Sequence, residues 1–303
     1  MKYIEYGQMK ASTIVAGTMR IARFSDDETE SYIKNVLSCG INFFDHADIY
    51  GGGHCEELFG NYLKNHPEDR EKMYIQSKCG IRKGYFDFSY EHIIEAVEGS
   101  LKRLNTDHLD SLLLHRPDAL MEPQEVNRAF NKLYREGKVL NFGVSNMNRY
   151  QMDLLKSELE RPLLADQLQM SIVHTPLLDA NFNVNMNDDP AIMRDGGTLE
   201  YLRLNKMVLQ VWSPLQIGYF KENFLGSDKY PELNELMDEL KEKYGCEKDA
   251  IAYAWLLRYP LDIQVVLGST SPEHIKSGAK AADIRLEKED WYRLYKAAGN
   301  RLP

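Results

Sequence analysis

No Cys-x-x-Cys pair occurs among the four cysteines, Cys39, Cys55, Cys79 and Cys246, which leaves neither a disulfide framework nor a zinc ribbon to hold the fold. Free thiols in a reducing, cytoplasmic setting are the expectation. No Lys/Arg-rich run interrupts a chain with 37 basic against 46 acidic residues and a formal charge of −9, so nucleic acid is not an expected partner. No apolar run approaches the roughly 18 residues that span a bilayer. The longest, Ile251 to Leu257, falls far short, and Met1 to Gly7 carries no apolar h-region, so neither a membrane span nor a secretory signal is expected. No Gly-x-Gly-x-x-Gly follows any apolar run, which removes the usual signature of a doubly wound nucleotide-binding sheet.

What is present is an ordinary globular composition of 303 residues, 43% hydrophobic and 27% charged, enough chain to bury a large core. Length alone allows two domains of about 150 residues or one α/β barrel of about 250. The order of the apolar runs decides between them. Thr13 to Ala16 precedes a helical pattern at Glu28 to Ser38, where Tyr32, Ile33, Val36 and Leu37 form one stripe and Gly40 stands ready to end it. Ile41 to Phe44 ends at Asp45 and Met73 to Ser77 ends at Lys78, with a helix over Glu56 to Lys64 between them. Ser89 can cap a helix whose Ile93, Ile94, Val97, Leu101 and Leu104 share a face. Leu109 to Leu114 ends at His115, Pro123 to Glu136 reads as a helix closed by Gly137, and Val139 to Val144 ends at Ser145. A helix at Gln151 to Leu159 and apolar runs at Ala165 to Leu168, Met207 to Val211 and Gln264 to Leu267 complete the series.

The residues Asp45, Lys78, His115 and Ser145 are 33, 37 and 30 positions apart, close to the roughly 30 residues of a βα unit. Eight such runs predict one closed parallel barrel of the α/β class, a (β/α)8 TIM barrel with long loops, as a single domain over residues 1–303; an open doubly wound sheet is the alternative. Met1 to Gln8 is too short for a βα unit and is expected to cap the barrel from below. Extra length at Thr175 to Gly197 and Pro214 to Pro231 follows strands, where a barrel keeps its functional loops.

In a parallel barrel every strand ends at the same face, so Asp45, Lys78, His115 and the nearby Tyr50 are expected to meet. Their chemistries are complementary. A phenol is a poor acid at neutral pH unless a cation stabilises the phenolate, and Lys78 can be that cation. Asp45 can hold Lys78 charged and in place, and His115 can orient a carbonyl oxygen or relay a proton. Singly, each has an ordinary explanation: a turn-forming Asp, a Tyr packed in a loop, a solvated Lys, a satisfied polar His. At matching ends of successive predicted strands they are hard to read as accident.

The segment Gly40 to Gly51, with its Asp45-His46-Ala47-Asp48-Ile49-Tyr50, followed by Glu56-Glu57 and Gly60, resembles the first signature of the aldo-keto reductase family, and most of all its bacterial YdhF-like branch. The resemblance runs in order through Gln76-Ser77-Lys78, Leu112 to Pro117, Gly143 to Asn146, Asp166-Gln167, Trp212-Ser213-Pro214 and Gly268-Ser269-Thr270. It implies a barrel that binds NADP(H), with NAD(H) as the alternative, and reduces aldehydes or ketones. Tyr50 would be the general acid, Lys78 its pKa-lowering partner, Asp45 the residue that positions Lys78, and His115 the carbonyl-orienting group. Ser145, Asn146 and Gln167 would hold the nicotinamide carboxamide, and Trp212 would stack on its ring, or else serve as a core aromatic. Gly17, Thr18 and Met19 would approach the cofactor by backbone, while Ser213, Leu215 and Gly218 lie where the family wraps the pyrophosphate. Gly268, Ser269, Thr270 and His274 would meet the adenosine end, with Ser271-Pro272-Glu273 opening a helix whose free N–H groups can receive phosphate oxygens. Many family members carry lysine where Gly268 stands and arginine where His274 stands, so a fixed cation for a 2′-phosphate is missing.

Phe24, Tyr85, Phe86, Phe88, Leu120 and Met121 fall in loops after strands and are candidates for an apolar substrate mouth, or for loop anchors. A small carbonyl compound is the expected partner. Two rival functions remain: a barrel metal hydrolase built on His46, Asp48, His54 and His115, for which no complete ligand set is visible, and a cofactor-binding auxiliary subunit without turnover. No metal is expected.

Overall fold

The computed structural model describes residues 1–219 and 221–303. The chain opens with an antiparallel hairpin, β1 (Tyr3–Tyr6) and β2 (Met9–Ser12), which turns at Gly7. The barrel strands follow as β3 (Ile14–Gly17), β4 (Phe43–Asp45) and β5 (Tyr74–Cys79). A small hairpin, β6 (Ile81–Arg82) and β7 (Tyr85–Phe86), leaves the end of β5. The barrel is completed by β8 (Ser111–Leu114), β9 (Phe142–Ser145), β10 (Leu163–Gln169), β11 (Val208–Trp212) and β12 (Ile263–Leu267). All neighbours in the ring are parallel and β12 pairs with β3, so the eight-stranded sheet closes as expected.

Helices cover the outside between the strands. Asp26–Ser38 starts at a reciprocal capping box, in which Ser25 Oγ accepts the Glu28 N–H and a Glu28 carboxylate oxygen accepts the Ser25 N–H at 2.8 Å, a device that contributes about 1 kcal/mol. Gly40 follows its end at φ +76°. Ser89 caps Tyr90–Leu104 through the His92 N–H, and Pro123–Arg135 carries its proline in the first turn. No helix among the described residues is long and apolar enough to cross a membrane.

The alternation of side chains along each strand sorts the core into an outer and an inner part. Ile14, Phe44, Ile75, Leu112 and Leu209 point outward into the strand–helix core. Inside the barrel, Val15, Phe43, Ala165, Val208 and Val266 form a separate apolar layer, and Tyr6, Met9 and Ala11 of the hairpin close it from below. The cap predicted for Met1 to Gln8 is therefore a plug that extends through β2. A row of buried amides, Gln76, Gln167, Gln210 and Gln264, also crosses the barrel interior.

Candidate active site

A cavity of about 660 Å³ opens at the C-terminal ends of the strands and reaches from Tyr50 and His115 on one side to Gly268 and His274 on the other. Asp45 is the last residue of β4, Lys78 sits near the end of β5, and His115 follows β8 directly. Tyr50 arrives by a different device. Gly51, Gly52 and Gly53 hold φ of +60°, +68° and +97°, values that side chains rarely allow, and this turn leads from Tyr50, on the cavity wall, into the helix His54–Asn65.

Lys78 and Asp45 are almost wholly buried, and each polar atom is satisfied. The three ammonium protons of Lys78 go to Asp45 Oδ2 at 2.8 Å, the His46 carbonyl at 2.7 Å and the Tyr50 hydroxyl at 3.1 Å. Asp45 Oδ1 accepts from Gln76 Nε2 at 2.7 Å and Gln167 Nε2 at 3.0 Å. Gln210 joins both glutamines and passes the chain to Gln264, which donates to the Ser12 carbonyl. The outer face of β5 is tied down as well: Ser77 Oγ donates to Glu56 at 2.6 Å, and Arg103 pairs with the same carboxylate at 2.8 Å.

Burial works against the charge on Lys78, yet the Asp45 carboxylate and the Tyr50 oxygen hold its pKa above the ordinary lysine value. Burial also raises the Tyr50 phenol, and the Lys78 charge pulls it back without reversing the direction. The expected lowering is thus only a partial offset, because in a dry site desolvation of the phenolate outweighs a cation already shared with Asp45. His115 is held well below its ordinary value by burial and by the charges of Lys78 and Arg116. It is a neutral imidazole, its edge toward the Tyr50 ring at a centroid distance of 6.0 Å and its Nδ1 without a hydrogen-bond partner among the described residues.

Ser145, Asn146, Gln167 and Trp212 all reach the cavity wall. Asn146 takes φ +60°, which asparagine tolerates; its amide donates to Ser145 Oγ at 2.7 Å and accepts from the Trp212 indole at 3.2 Å. Gly17, Met19, Ser213, Leu215, Gly268, Ser269 and His274 also line the cavity. Thr18, Gly218 and Thr270 do not. Thr18 turns inward, donating to the Asp45 carbonyl and meeting His46 Nδ1 at 2.9 Å. Ser271 stands at the start of Pro272–Ala281 without capping it, since its hydroxyl goes to Glu273.

The apolar mouth drawn from sequence is corrected by packing. Phe24 lies edge-on to Tyr32 and Phe88 is buried against the Gly80 backbone, so both anchor loops. Tyr85 and Phe86 are exposed on the β6–β7 hairpin, away from the cavity wall. Leu120 is exposed and Met121 packs on the outer core. Ile49, Ile81, Leu225 and Tyr219 line the cavity instead, together with Arg20, Arg116, Asp249 and Tyr253. Arg20 and Arg116 each stand just beyond a strand end, a signal present in the sequence. Asp249 and Tyr253 come from a helix, where spacing gives no hint that they face a cavity.

The four residues of the metal rival are not brought together. His46 is fully buried, its pKa pressed down to about 3 by burial and by Lys78. His54 is paired with Glu57 on the surface. Asp48 faces Glu56 and Arg103, and burial with the Glu56 charge pushes it up to about 7.

The sequence pattern of the aldo/keto reductase family matches residues 13–298. The oxidoreductase YdhF of Escherichia coli is 37% identical over 299 residues, covering 95% of this chain and 93% of its own. A 6-dehydroglucose reductase of Agrobacterium fabrum is 33% identical over 304 residues, covering 96% and 95%. Among solved structures, a thermostable aldo-keto reductase in complex with the inhibitor epalrestat superposes with a TM-score of 0.78 at 27% identity, over 98% of this chain and 100% of that one.

Proposed function

The chain belongs to the aldo/keto reductase family, and on that premise we propose that it is an NADP(H)-dependent oxidoreductase that reduces aldehydes or ketones to alcohols, with residues 1–303 acting as one barrel domain. The observation that carries the reading is the buried Lys78 ammonium held between Asp45 and the Tyr50 hydroxyl on a wall shared with neutral His115.

Tyr50 is the general acid. Burial keeps the phenol protonated through the neutral range, and the ammonium 3.1 Å away stabilises the phenolate left when the proton passes to the substrate oxygen. Asp45 fixes Lys78, and His115 orients the carbonyl oxygen as an uncharged hydrogen-bonding group. When bound, the reduced nicotinamide supplies the hydride that the carbonyl carbon receives.

The residues present suit such a cofactor. Asn146, Ser145 and Gln167 offer amide and hydroxyl groups on a wall shared with Trp212, Gly17 and Met19 offer backbone, and Ser213 and Leu215 continue the wall. Ser269, His274 and the uncapped helix start at Pro272 receive the adenosine end. Because Gly268 and His274 place no lysine or arginine there, NAD(H) is the second cofactor of this reading.

The test is NADPH oxidation with a panel of carbonyl compounds, comparing the native chain with Tyr50→Phe. Turnover lost in the variant with cofactor binding retained supports the reading; equal turnover removes Tyr50 as the acid. Tight cofactor binding with no turnover on any carbonyl would favour the auxiliary-subunit role.

A further inference from the structure

Arg116 follows His115 on the loop after β8, lines the cavity and is half-buried. Its guanidinium carbon lies 5.5 Å from the centre of the Trp212 ring and 5.3 Å from that of Tyr219. Among the described residues, ion pairs within 4.0 Å join many arginines to carboxylates, but none involves Arg116. The carboxylates on the cavity wall, Asp45 and Asp249, are engaged elsewhere, as is Asp118 two residues along the loop. Asp45 holds Lys78 and two amides, Asp249 holds His274, Ser277 and its own helix start, and Asp118 accepts the N–H groups of Phe88 at 3.0 Å and Leu120 at 2.8 Å. The imidazole beside it is neutral, so among the described residues Arg116 is a cation without an ion-pair partner at this end of the cavity.

A guanidinium keeps its proton in any protein environment, and withdrawing it from water without an anion is costly. The two aromatic rings recover part of that cost, and the N–H fork of a guanidinium can meet a planar anion in two parallel hydrogen bonds. The wall of the same cavity also carries the apolar Ile49 and Ile81. The adenosine-end residues follow β12, four strands away around the eight-stranded ring and so on the opposite side. We propose that Arg116 is an anion subsite for the substrate, and that the preferred substrates are aldehydes or ketones bearing a carboxylate beyond a short apolar spacer. This rests on the reading of the cavity as a carbonyl-reducing site.

The experiment compares 4-carboxybenzaldehyde with benzaldehyde, in the native chain, Arg116→Met and Arg116→Lys, with calorimetric titration of benzoate and benzyl alcohol into each protein saturated with NADPH. A charge-assisted hydrogen bond corresponds to roughly a tenfold or larger factor. The expected result is a kcat/KM ratio of about 10 or more for the carboxylated aldehyde, carried by KM, that falls to near 1 in Arg116→Met and is partly kept in Arg116→Lys. A ratio near 1 in the native chain, or one unchanged in Arg116→Met, overturns the subsite while leaving carbonyl reduction standing. If neither aldehyde is reduced, benzoate binding that depends on Arg116 keeps the subsite and removes the reduction reading. Loss of both removes both.

Discussion

At one end of the cavity Asp45 and Lys78 have every polar atom committed to a fixed partner, with a row of glutamines beneath them and Glu56 and Arg103 behind the strand. At the other end Gly268 faces open space, His274 is exposed and leans on Asp249, and Arg20 forms no ion pair among the described residues. The first end has its dipoles oriented before any ligand arrives, so stabilising a developing charge there needs little reorganisation. The second holds neutral donors and loosely placed charge, which on the proposed reading would discriminate weakly at the 2′ position of a dinucleotide. The Asp45–Lys78 end is thus rigidly tied, and the Gly268–His274 end is not.

The sharpest way to break this contrast is Tyr50→Phe. We expect kcat for carbonyl reduction to fall by about 10²–10⁴, with NADPH affinity by tryptophan fluorescence changed less than about twofold. A comparable loss of affinity would mean that the two ends are not separate. Lys78→Met probes the rigid end through stability. Removing one partner of a buried ion pair costs roughly 3–5 kcal/mol, which in a chain of this size lowers Tm by roughly 5–8 °C. An unchanged Tm in scanning calorimetry would show that the pair is not charged in the folded state.

The soft end should yield to added charge. A Cβ at Gly268 meets nothing within 4 Å and its φ is not positive, so Gly268→Lys together with His274→Arg is accommodated. The double variant should move the ratio of NADPH to NADH dissociation constants about tenfold toward NADPH. A ratio that does not move would place the adenosine phosphate elsewhere. The smallest effects come from pH. His115 titrates well below its usual range and Tyr50 above its own, so kcat at saturating substrates should vary less than about twofold from pH 6 to 9. A step with a midpoint near 6.5 would contradict the neutral imidazole.

Asp48 does titrate in that interval, but its effect falls on stability. Its carboxyl is raised to about 7 in the folded chain, so between about pH 4 and 7 the folded state holds a proton that the unfolded state has released. Stability from this group is present at low pH and lost as pH rises through 7. Asp48→Asn should therefore narrow the Tm difference between pH 5 and pH 8 by about 2–6 °C; an unchanged difference would show that Asp48 is not the group responsible.

The strand-end positions of Asp45, Lys78 and His115 were legible because apolar runs of regular spacing have one economical closure, and closure brings their ends together. Strand limits were less so. The run predicted from Val139 begins as β9 only at Phe142, with Val139 joined to Leu109 by an isolated bridge, since aliphatic residues before a strand are as apolar as those within it. Phe24, Phe88, Tyr85 and Phe86 misled for a related reason: an aromatic in a loop reads the same whether it faces a cavity, a core or water.

Composition and order thus determined the barrel, its family and the meeting of Asp45, Tyr50, Lys78 and His115, because each depends on residue type at or near a strand end and on spacing along the chain. Only the tertiary structure decided what surrounds them. The glutamine row that carries Asp45, the helix-borne Asp249 beside His274 and the placing of Arg116 against the Trp212 and Tyr219 rings all depend on stagger around a closed sheet and on the packing of distant helices. Those quantities are set by the whole ring at once, and no local window of sequence contains them.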